Sequence, residues 1–302
     1  MKFTDTDRGH AHAKDPAVVR LNDVYYLYYT LILHDSAGEW SGRGIGIARS
    51  GNLQDWVKIG EVPIEQECER NGICAPGAIV LDGRVHLFYQ SYGNGPKDAI
   101  CHAISEDGVH FAKDASNPVF SPHGDWNNGR AIDADVIVRE DRLLLYFATR
   151  DPLGKVQMQG VAGAALDSGF GRAAWTQLCS ESILKPELAW EQDCIEAAAL
   201  CEHGGKLYMF YGGAYNNAPQ QIGCAVSEDG VRWERISDEP FLRSGEPGSW
   251  NSSESGHPFV FADDDGRTYL FFQGNNDGGR SWYLSMAEIG WENGLPYIKP
   301  AA

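Results

Sequence analysis

The chain has 302 residues, with 42 acidic and 25 basic side chains and a formal net charge of −17 at pH 7. That charge disfavours nucleic acid and anionic membranes as partners, and no run of about 18 apolar residues predicts a transmembrane helix. A neutral ligand such as a sugar is compatible with it. The 35 glycines and the 11% aromatic content predict short strands joined by tight turns.

The first predicted element is a hairpin at 15–30, DPAVVRLNDVYYLYYT, in which an apolar run, a polar turn and an aromatic run follow one another. The same pattern returns at 75–90, 133–148, 196–212 and 257–273. After each hairpin comes a strand of small residues, a turn and an aromatic residue, at 44–59, 99–114, 160–175, 221–236 and 282–294. Five such units of about sixty residues predict an all-β, five-bladed β-propeller with four antiparallel strands per blade, forming one domain over 1–302.

The first strand of each blade lines the central channel of a propeller, so the residues that begin these strands should converge. Aligning the blades on their second strands, with one extra turn residue in blades four and five, gives Asp15, Ala75, Asp133, Glu196 and His257. Three carboxyl groups in one cavity raise each other's pKa, which is a cost that a catalytic role explains. We therefore predict that Asp15, Asp133 and Glu196 cleave a glycosidic bond.

At these residues the sequence resembles glycoside hydrolase family 43 and its close relatives, over nearly the whole chain. The resemblance implies a general base, Asp15 in AKDPAVV, a residue that modulates the pKa of the acid, Asp133 in RAIDADV, and a general acid, Glu196 in DCIEAAA. It also implies a blade-five histidine near the axis, His257 in ESGHPFVF, which contacts the substrate or a central Ca²⁺ or other cation. The resemblance implies an enzyme that requires no cofactor.

Two departures from the family pattern bear on the sugar and on the site. Glu196 is followed by Ala197 and Ala198, where the family commonly has Gly-Pro. A second acid, Asp135, follows Asp133, and on a regular strand these two side chains face the same side. The blade alignment favours Asp133 as the catalytic residue and leaves Asp135 as a candidate substrate ligand.

Loops near the axial positions carry further candidate ligands for a sugar. Each tryptophan among them could instead pack between blades, and His12 could belong to a mobile N-terminal arm. The candidates are His12, Trp40, Trp126, Asn128, Arg130, Gln192, Asp193, Ser253, Glu254 and Trp282. The long loop 34–44 contains Trp40 and predicts a pocket closed on one side, which favours exo action.

The predicted reaction is single-displacement hydrolysis with inversion of a small oligosaccharide or glycoside that contains a pentose, as by a β-xylosidase or an α-L-arabinofuranosidase. Alternatives are a fructoside, galactoside or anhydro-galactoside substrate, a mannoside phosphorylase with Arg130 as its basic candidate, and a non-catalytic carbohydrate-binding propeller. Seven cysteines without a paired motif, together with an N-terminus lacking an apolar core, predict a cytoplasmic protein. The oligomeric state stays open.

Overall fold

The structure is a computed structural model that describes residues 1–35 and 37–300. In chain order its strands are β1 (Lys2–Phe3), β2 (Lys14–Leu21), β3 (Val24–His34), β4 (Trp40–Ser50), β5 (Val57–Val62), β6 (Ile73–Leu81), β7 (Arg84–Ser91), β8 (Ile100–Ser105), β9 (Ala112–Lys113), β10 (Ile132–Arg139), β11 (Arg142–Arg150), β12 (Gln157–Ala165), β13 (Thr176–Gln177), β14 (Ile195–His203), β15 (Lys206–Gly213), β16 (Gln221–Ser227), β17 (Glu234–Arg235), β18 (Glu254–Ala262), β19 (Thr268–Asn275), β20 (Tyr283–Glu292) and β21 (Leu295–Ile298). Short 3₁₀ helices span Glu67–Glu69, Gly95–Lys97, Arg172–Ala174 and Ala189–Glu191.

The strands form five antiparallel sheets, each of which is one blade. Blades one to four are β2–β5, β6–β9, β10–β13 and β14–β17, each in chain order from the inside outwards. Blade five contains β18, β19 and β20, and the outer edge of β20 carries both β1 and β21. The innermost strands pack side by side, and β18 returns to β2, which closes the ring. The predicted all-β, five-bladed propeller is confirmed.

Small residues in the third strand of a blade make room for aromatic rings of the second strand. A Cβ atom on Gly46 would overlap the ring of Tyr29, and one on Gly223 would overlap the ring of Tyr211. Both rings are fully buried. This contact explains why an aromatic-rich run and a run of small residues alternate in the sequence: close packing leaves no space for a second side chain.

Each innermost strand has a β-bulge close to one end of the channel. At all five bulges a non-glycine residue adopts a left-handed backbone, a conformation that costs about 1–2 kcal/mol per residue. These bulge residues are Asp15 (φ 50°), Ala75 (φ 47°), Asp133 (φ 52°), Ala197 (φ 53°) and His257 (φ 44°). Four of the five positions in the frame predicted from sequence, Asp15, Ala75, Asp133 and His257, are therefore equivalent in the backbone itself.

The register predicted for blade four is wrong by one residue. It assumed an extra residue in the β14–β15 turn, yet His203 pairs with Lys206 across a two-residue turn, as Leu21 pairs with Val24 in blade one. Ala197 therefore occupies the position equivalent to Asp15, and Glu196 immediately precedes it.

Within residues 1–35 and 37–300, no helix has the length and apolar character that crossing a membrane requires.

Candidate active site

The bulges bring the three predicted acids to one end of the channel. A bulge lets two consecutive residues project toward the same side of a strand. Asp15 and Asp133 reach the channel mouth from bulge positions, and Glu196 reaches it from the position before the bulge in β14. Asp15 is 6% exposed, and Asp133 and Glu196 are each 8% exposed. The carboxyl groups therefore lie in a pocket largely screened from bulk water.

Buried amide side chains of the preceding blade hold the bulge backbones in place. The backbone N–H of Asp15 donates to Gln273 Oε1 (3.1 Å), and that of Asp133 donates to Gln90 Oε1 (3.0 Å). The N–H of His257 likewise donates to Gln220 Oε1 (2.9 Å). Because each strained turn is tied to its neighbouring blade, the side chains that it carries are fixed relative to the ring.

His257 lies between Asp15 and Asp133. Its Nε2 atom is 3.4 Å from Asp15 Oδ1 and 3.5 Å from Asp133 Oδ1. Burial lowers the pKa of His257, but the charges of Asp15 and Asp133 outweigh burial and raise it to about 9. In the opposite sense, burial raises the pKa of Asp15, while His257 and Lys14 outweigh it and lower that pKa to about 2. At neutral pH this pair is an imidazolium facing an ionised carboxylate.

Glu196 is held on both sides by amide donors. Gln157 Nε2 donates a short hydrogen bond to Glu196 Oε2, and Gln220 Nε2 donates to Glu196 Oε1 (2.6 Å). Burial and then the negative charge of Asp133 raise the pKa of Glu196 to about 7. Glu196 can therefore carry a proton at a pH where Asp15 has none, which is the division of roles between an acid and a base.

This division predicts the pH dependence of the wild-type enzyme. Glu196 must be protonated to act as an acid, so kcat/KM should fall as the pH rises through about 7 and approach a tenfold loss per pH unit above it. With the pKa of Asp15 lowered to about 2, the acid side should stay level down to about pH 4. Initial rates on a cleaved glycoside at low substrate concentration measure this profile. A loss of activity between pH 6 and pH 4 would contradict these roles.

A cationic flank lies beside Asp15. Lys14 Nζ donates to Asn216 Oδ1 (2.6 Å), lies 3.9 Å from Asp15 Oδ1 and stands over the ring of Trp282, 4.4 Å from its centroid. Arg43 Nη1 is 3.3 Å from His12 Nε2. Burial, with help from Arg43 and Lys14, lowers the pKa of His12 to about 3, so the ring of His12 is neutral at pH 7.

Several of the predicted substrate ligands do converge on this pocket. His12 and Trp282 form a β-bridge and are both buried beside Lys14, with exposures of 9% and 5%. Arg130 reaches Gln157 Oε1 (3.5 Å), the residue that holds Glu196. Glu254 is fully buried and accepts from Gln273 Nε2 (2.7 Å), so it supports the wall behind Asp15.

The other predicted ligands make no hydrogen bond to the three carboxylates. Trp40 is 57% exposed and meets the ring of Tyr92 edge-on. Gln192 is exposed and donates to Ala218 O (2.9 Å). Ser253 is half-buried and its N–H donates to Asn275 O (2.9 Å), and Trp126 packs beside the blade-three core. The backbone N–H of Asn128 donates to Arg150 O, and the backbone carbonyl of Asp193 accepts from the N–H of Gln157.

Asp135 faces a different part of the channel. The bulge at 133–134 breaks the alternation along β10, and Asp135 Oδ2 instead accepts the N–H of Leu200 (2.8 Å). Asp135 lines a cavity of about 360 Å³ toward the opposite end of the inner strands, together with Arg20 and Glu202. Burial raises the pKa of Asp135 to about 7. The regular-strand geometry that placed both acids on one side does not hold here.

Five side chains that were not predicted also shape this pocket: Lys14, Arg43, Arg150, Gln157 and Gln220. Lys14 is adjacent to Asp15, which was a usable signal. Gln157 begins β12 and Gln220 immediately precedes β16, so glutamines at the start of third strands could have been noticed as well. Nothing in the sequence marks Arg43 or Arg150 in this way, because whether they reach the pocket depends on how far strands β4 and β11 extend.

The cation predicted at His257 would find one unpartnered ring nitrogen, Nε2, beside one oxygen each of Asp15 and Asp133. The described residues contain no group of three or more His, Cys, Asp or Glu side chains arranged to hold a metal ion. No catalytic step below uses a metal.

Solved structures share the fold of this chain. A thermostable family-43 glycoside hydrolase superposes with a TM-score of 0.77 at 20% identity, covering 99% of this chain and 96% of the other. An endo-1,4-β-xylanase from Bacteroides thetaiotaomicron VPI-5482 superposes with a TM-score of 0.75 at 20% identity, covering 97% and 96%. At 20% identity, these two similarities show a shared fold and nothing about the substrate.

Sequence comparison adds a curated relative and a family. A β-1,2-mannobiose phosphorylase of Thermoanaerobacter sp. (strain X514) is 31% identical over 136 residues, which are 40% of this chain and 43% of that protein. The match thus spans less than half of the phosphorylase. The sequence model of glycosyl hydrolases family 43 matches residues 9–296. A propeller that gathers two aspartates and a glutamate at its axis, and that this family model matches over nearly its whole length, belongs to glycosyl hydrolases family 43.

Proposed function

We propose that this protein is an exo-acting, inverting glycosidase that removes a pentose from an oligosaccharide or glycoside. The observation that carries the acid–base part is the contrast between two buried carboxyl groups: Asp15 is held ionised by His257, while Glu196 is held protonated near neutral pH. Environments that drive the pKa values of two carboxyl groups apart assign one as base and the other as acid.

In the proposed mechanism, Asp15 takes a proton from a water molecule while the oxygen of that water bonds to the anomeric carbon. Glu196 gives its proton to the glycosidic oxygen as the bond between that oxygen and the anomeric carbon breaks. Asp133 raises the pKa of Glu196 by its negative charge and shares the His257 imidazolium with Asp15. Inversion follows because the water and the leaving group occupy opposite faces of the sugar.

Two features support the choice of substrate and of exo action. The similar endo-1,4-β-xylanase acts on a polymer of a pentose, as its name states. Strands β3 and β4 extend beyond the bulge end of blade one, where Lys14 pairs with Thr30 and His34 pairs with Trp40, so they form one raised wall of the pocket. A pocket that is walled on one side favours binding the end of a sugar chain over binding its interior.

A panel of 4-nitrophenyl glycosides tests this proposal directly. We expect the β-xyloside or the α-L-arabinofuranoside to be cleaved at least about tenfold faster than the corresponding galactoside and mannoside, the rejection expected when a pocket fits one sugar better. Proton NMR of the first-formed product should show the inverted anomer. A retained anomer would contradict the inverting mechanism, and binding without cleavage of any glycoside would favour the non-catalytic propeller.

Phosphorolysis of a mannoside is the second candidate, and a specific observation favours it. Lys14 and Arg43 stand on the Asp15 side of the pocket, where a phosphate replacing water would have to attack. The mannobiose phosphorylase relative points the same way. Running the same panel with and without inorganic phosphate separates the two reactions, because only phosphorolysis yields a sugar 1-phosphate and requires phosphate for turnover.

A cytoplasmic location stays a prediction. It is supported by the cysteines, all seven of which are free thiols. Even the Cys68 and Cys101 sulfur atoms lie 3.9 Å apart, well beyond the disulfide bond length of about 2.05 Å. Seven free thiols, five of them buried, are typical of a protein kept in a reducing compartment.

A further inference from the structure

Two arginines meet beside the proposed general acid. Arg130 precedes β10, and Arg150 is the last residue of β11, so both stand at the bulge end of blade three. Arg150 Nε donates to Gln157 Oε1 (3.1 Å), and Arg130 Nη1 donates to the same oxygen (3.5 Å). The amide group of Gln157 in turn donates to Glu196. Two guanidinium groups therefore lie one amide group away from the acid.

This arginine pair carries more positive charge than its surroundings neutralise. Arg130 pairs with Asp98, whose Oδ2 lies 3.4 Å from Arg130 Nε. Arg150 has no carboxylate within 4.0 Å anywhere in residues 1–35 and 37–300, and the ring of Tyr215 covers one of its faces at 5.6 Å. In a chain with 42 acidic and 25 basic side chains, an unpaired, half-buried guanidinium is unexpected. Removing a cation from water is costly unless an anion compensates for it.

The position of the pair indicates which part of a substrate it faces. A general acid stands next to the oxygen that leaves, so groups beside Glu196 face the leaving-group portion of the substrate. Guanidinium groups bind carboxylate and phosphate oxygens through paired, charge-assisted hydrogen bonds. We propose that Arg130 and Arg150 bind an oxyanion on the leaving-group portion of the substrate, either the carboxylate of a uronic acid or the phosphate of a sugar phosphate. This inference rests on the proposed glycosidase function.

A matched pair of aryl glycosides tests the proposal. The two substrates share the sugar that the wild-type enzyme cleaves, and their leaving phenols carry either a carboxylate or its methyl ester. We expect wild-type kcat/KM to favour the carboxylate at least about tenfold, the scale of one good charge-assisted contact. In Arg150→Gln this preference should fall to about one, and rising salt should reduce it in the wild type. The ester is the better electron-withdrawing group, so leaving-group chemistry works against the expected result.

A control variant separates the site from the overall charge of the protein. Arg142 begins the same strand β11 at its far end and is 58% exposed, so Arg142→Gln removes one charge without touching the pocket. This variant should keep the wild-type preference for the carboxylate. If Arg150→Gln lowers kcat/KM for both substrates by the same factor, Arg150 only positions Gln157, and the proposal is overturned.

Binding to the wild-type protein provides a readout that does not depend on turnover. Calorimetry with glucuronate, glucose 6-phosphate, inorganic phosphate and glucose should show tighter binding of one sugar anion than of glucose, and which anion binds identifies the source of the charge. Inorganic phosphate binding alone would point to a phosphate site and overturn the proposal. Cleavage of neutral glycosides without any preference for anions would refute this inference while leaving the glycosidase function standing. Glucuronate binding without cleavage of any glycoside would refute the glycosidase function, and it would overturn the leaving-group role of this anion site as well.

Discussion

We expect Glu196→Gln to lower kcat/KM on a glycoside with a sugar leaving group by about 10²–10⁴-fold, the usual contribution of a general acid. The amide of glutamine keeps the shape of the side chain but has no acidic proton to donate to the leaving oxygen. A 2,4-dinitrophenyl glycoside of the same sugar should lose much less activity, because its leaving group departs without protonation. The alkaline limb of the pH profile near pH 7 should disappear as well. Steady-state kinetics of both substrates measure these changes.

Glu202→Gln is the matched control for this experiment. Glu202 belongs to the same strand, β14, is partly exposed and pairs with Arg139 Nη1 (2.9 Å) at the far end of the blade. It contacts no residue of the catalytic pocket described above, so this variant should keep wild-type kinetics. An equal loss for the two leaving groups in Glu196→Gln would show that Glu196 does not donate the proton.

We expect His257→Asn to lower the free energy of unfolding by about 3–5 kcal/mol near pH 6, because it leaves Asp15 and Asp133 buried without their shared cation. Asparagine tolerates the left-handed backbone at this position (φ 44°), so the loss reports on charge rather than on backbone strain. The pKa of His257 is raised from 6.5 to about 9, so its stabilisation is complete below pH 6.5 and disappears as the pH rises through 9. Urea denaturation at about pH 6 and pH 10 should show the deficit shrinking.

His86→Asn is the control for that pH trend. His86 is also buried, and burial followed by the charge of Arg84 lowers its pKa to about 4, so its ring is neutral throughout this range. Losing its contacts with His102 and Phe170 should cost slightly less stability at pH 6 than at pH 10, because His86 is protonated at pH 6 only in the unfolded chain. This trend is opposite in sign to the one expected for His257→Asn. If the deficit of His257→Asn also fails to shrink between pH 6 and pH 10, the imidazolium makes no net electrostatic contribution.

The blade repeat could be predicted from sequence because its physical causes are local. Two-residue turns and alternation of aromatic and small residues are set within each hairpin, and these features repeat five times. The three acids could be predicted for the same reason. The error in blade four came from one assumed turn residue, and it shows that Asp15 and Glu196 reach the pocket from different backbone positions.

The rest of the pocket depends on contacts between blades, which no local pattern encodes. Gln220 joins the backbone of His257 in blade five to the carboxyl group of Glu196 in blade four. Gln157 of blade three likewise donates to the carboxyl group of Glu196 in blade four. The separation of Asp133 from Asp135 likewise follows from a bulge, and a bulge has no sequence signature as clear as that of a turn.

The joining of β1 to blade five has a consequence for the timing of folding in the cell. Lys2 and Phe3 pair with Ser285 and Leu284, and the Thr4 hydroxyl donates to Trp282 O across 278 residues of chain. Synthesis at about 5–20 residues per second separates the emergence of these partners by roughly 15–60 s. Throughout that interval, blade one has no neighbour on one side and its apolar face stays open to other chains. Complete closure of the ring is therefore a late, post-emergence event, and the nascent chain is at greatest risk of aggregation before blade five is made.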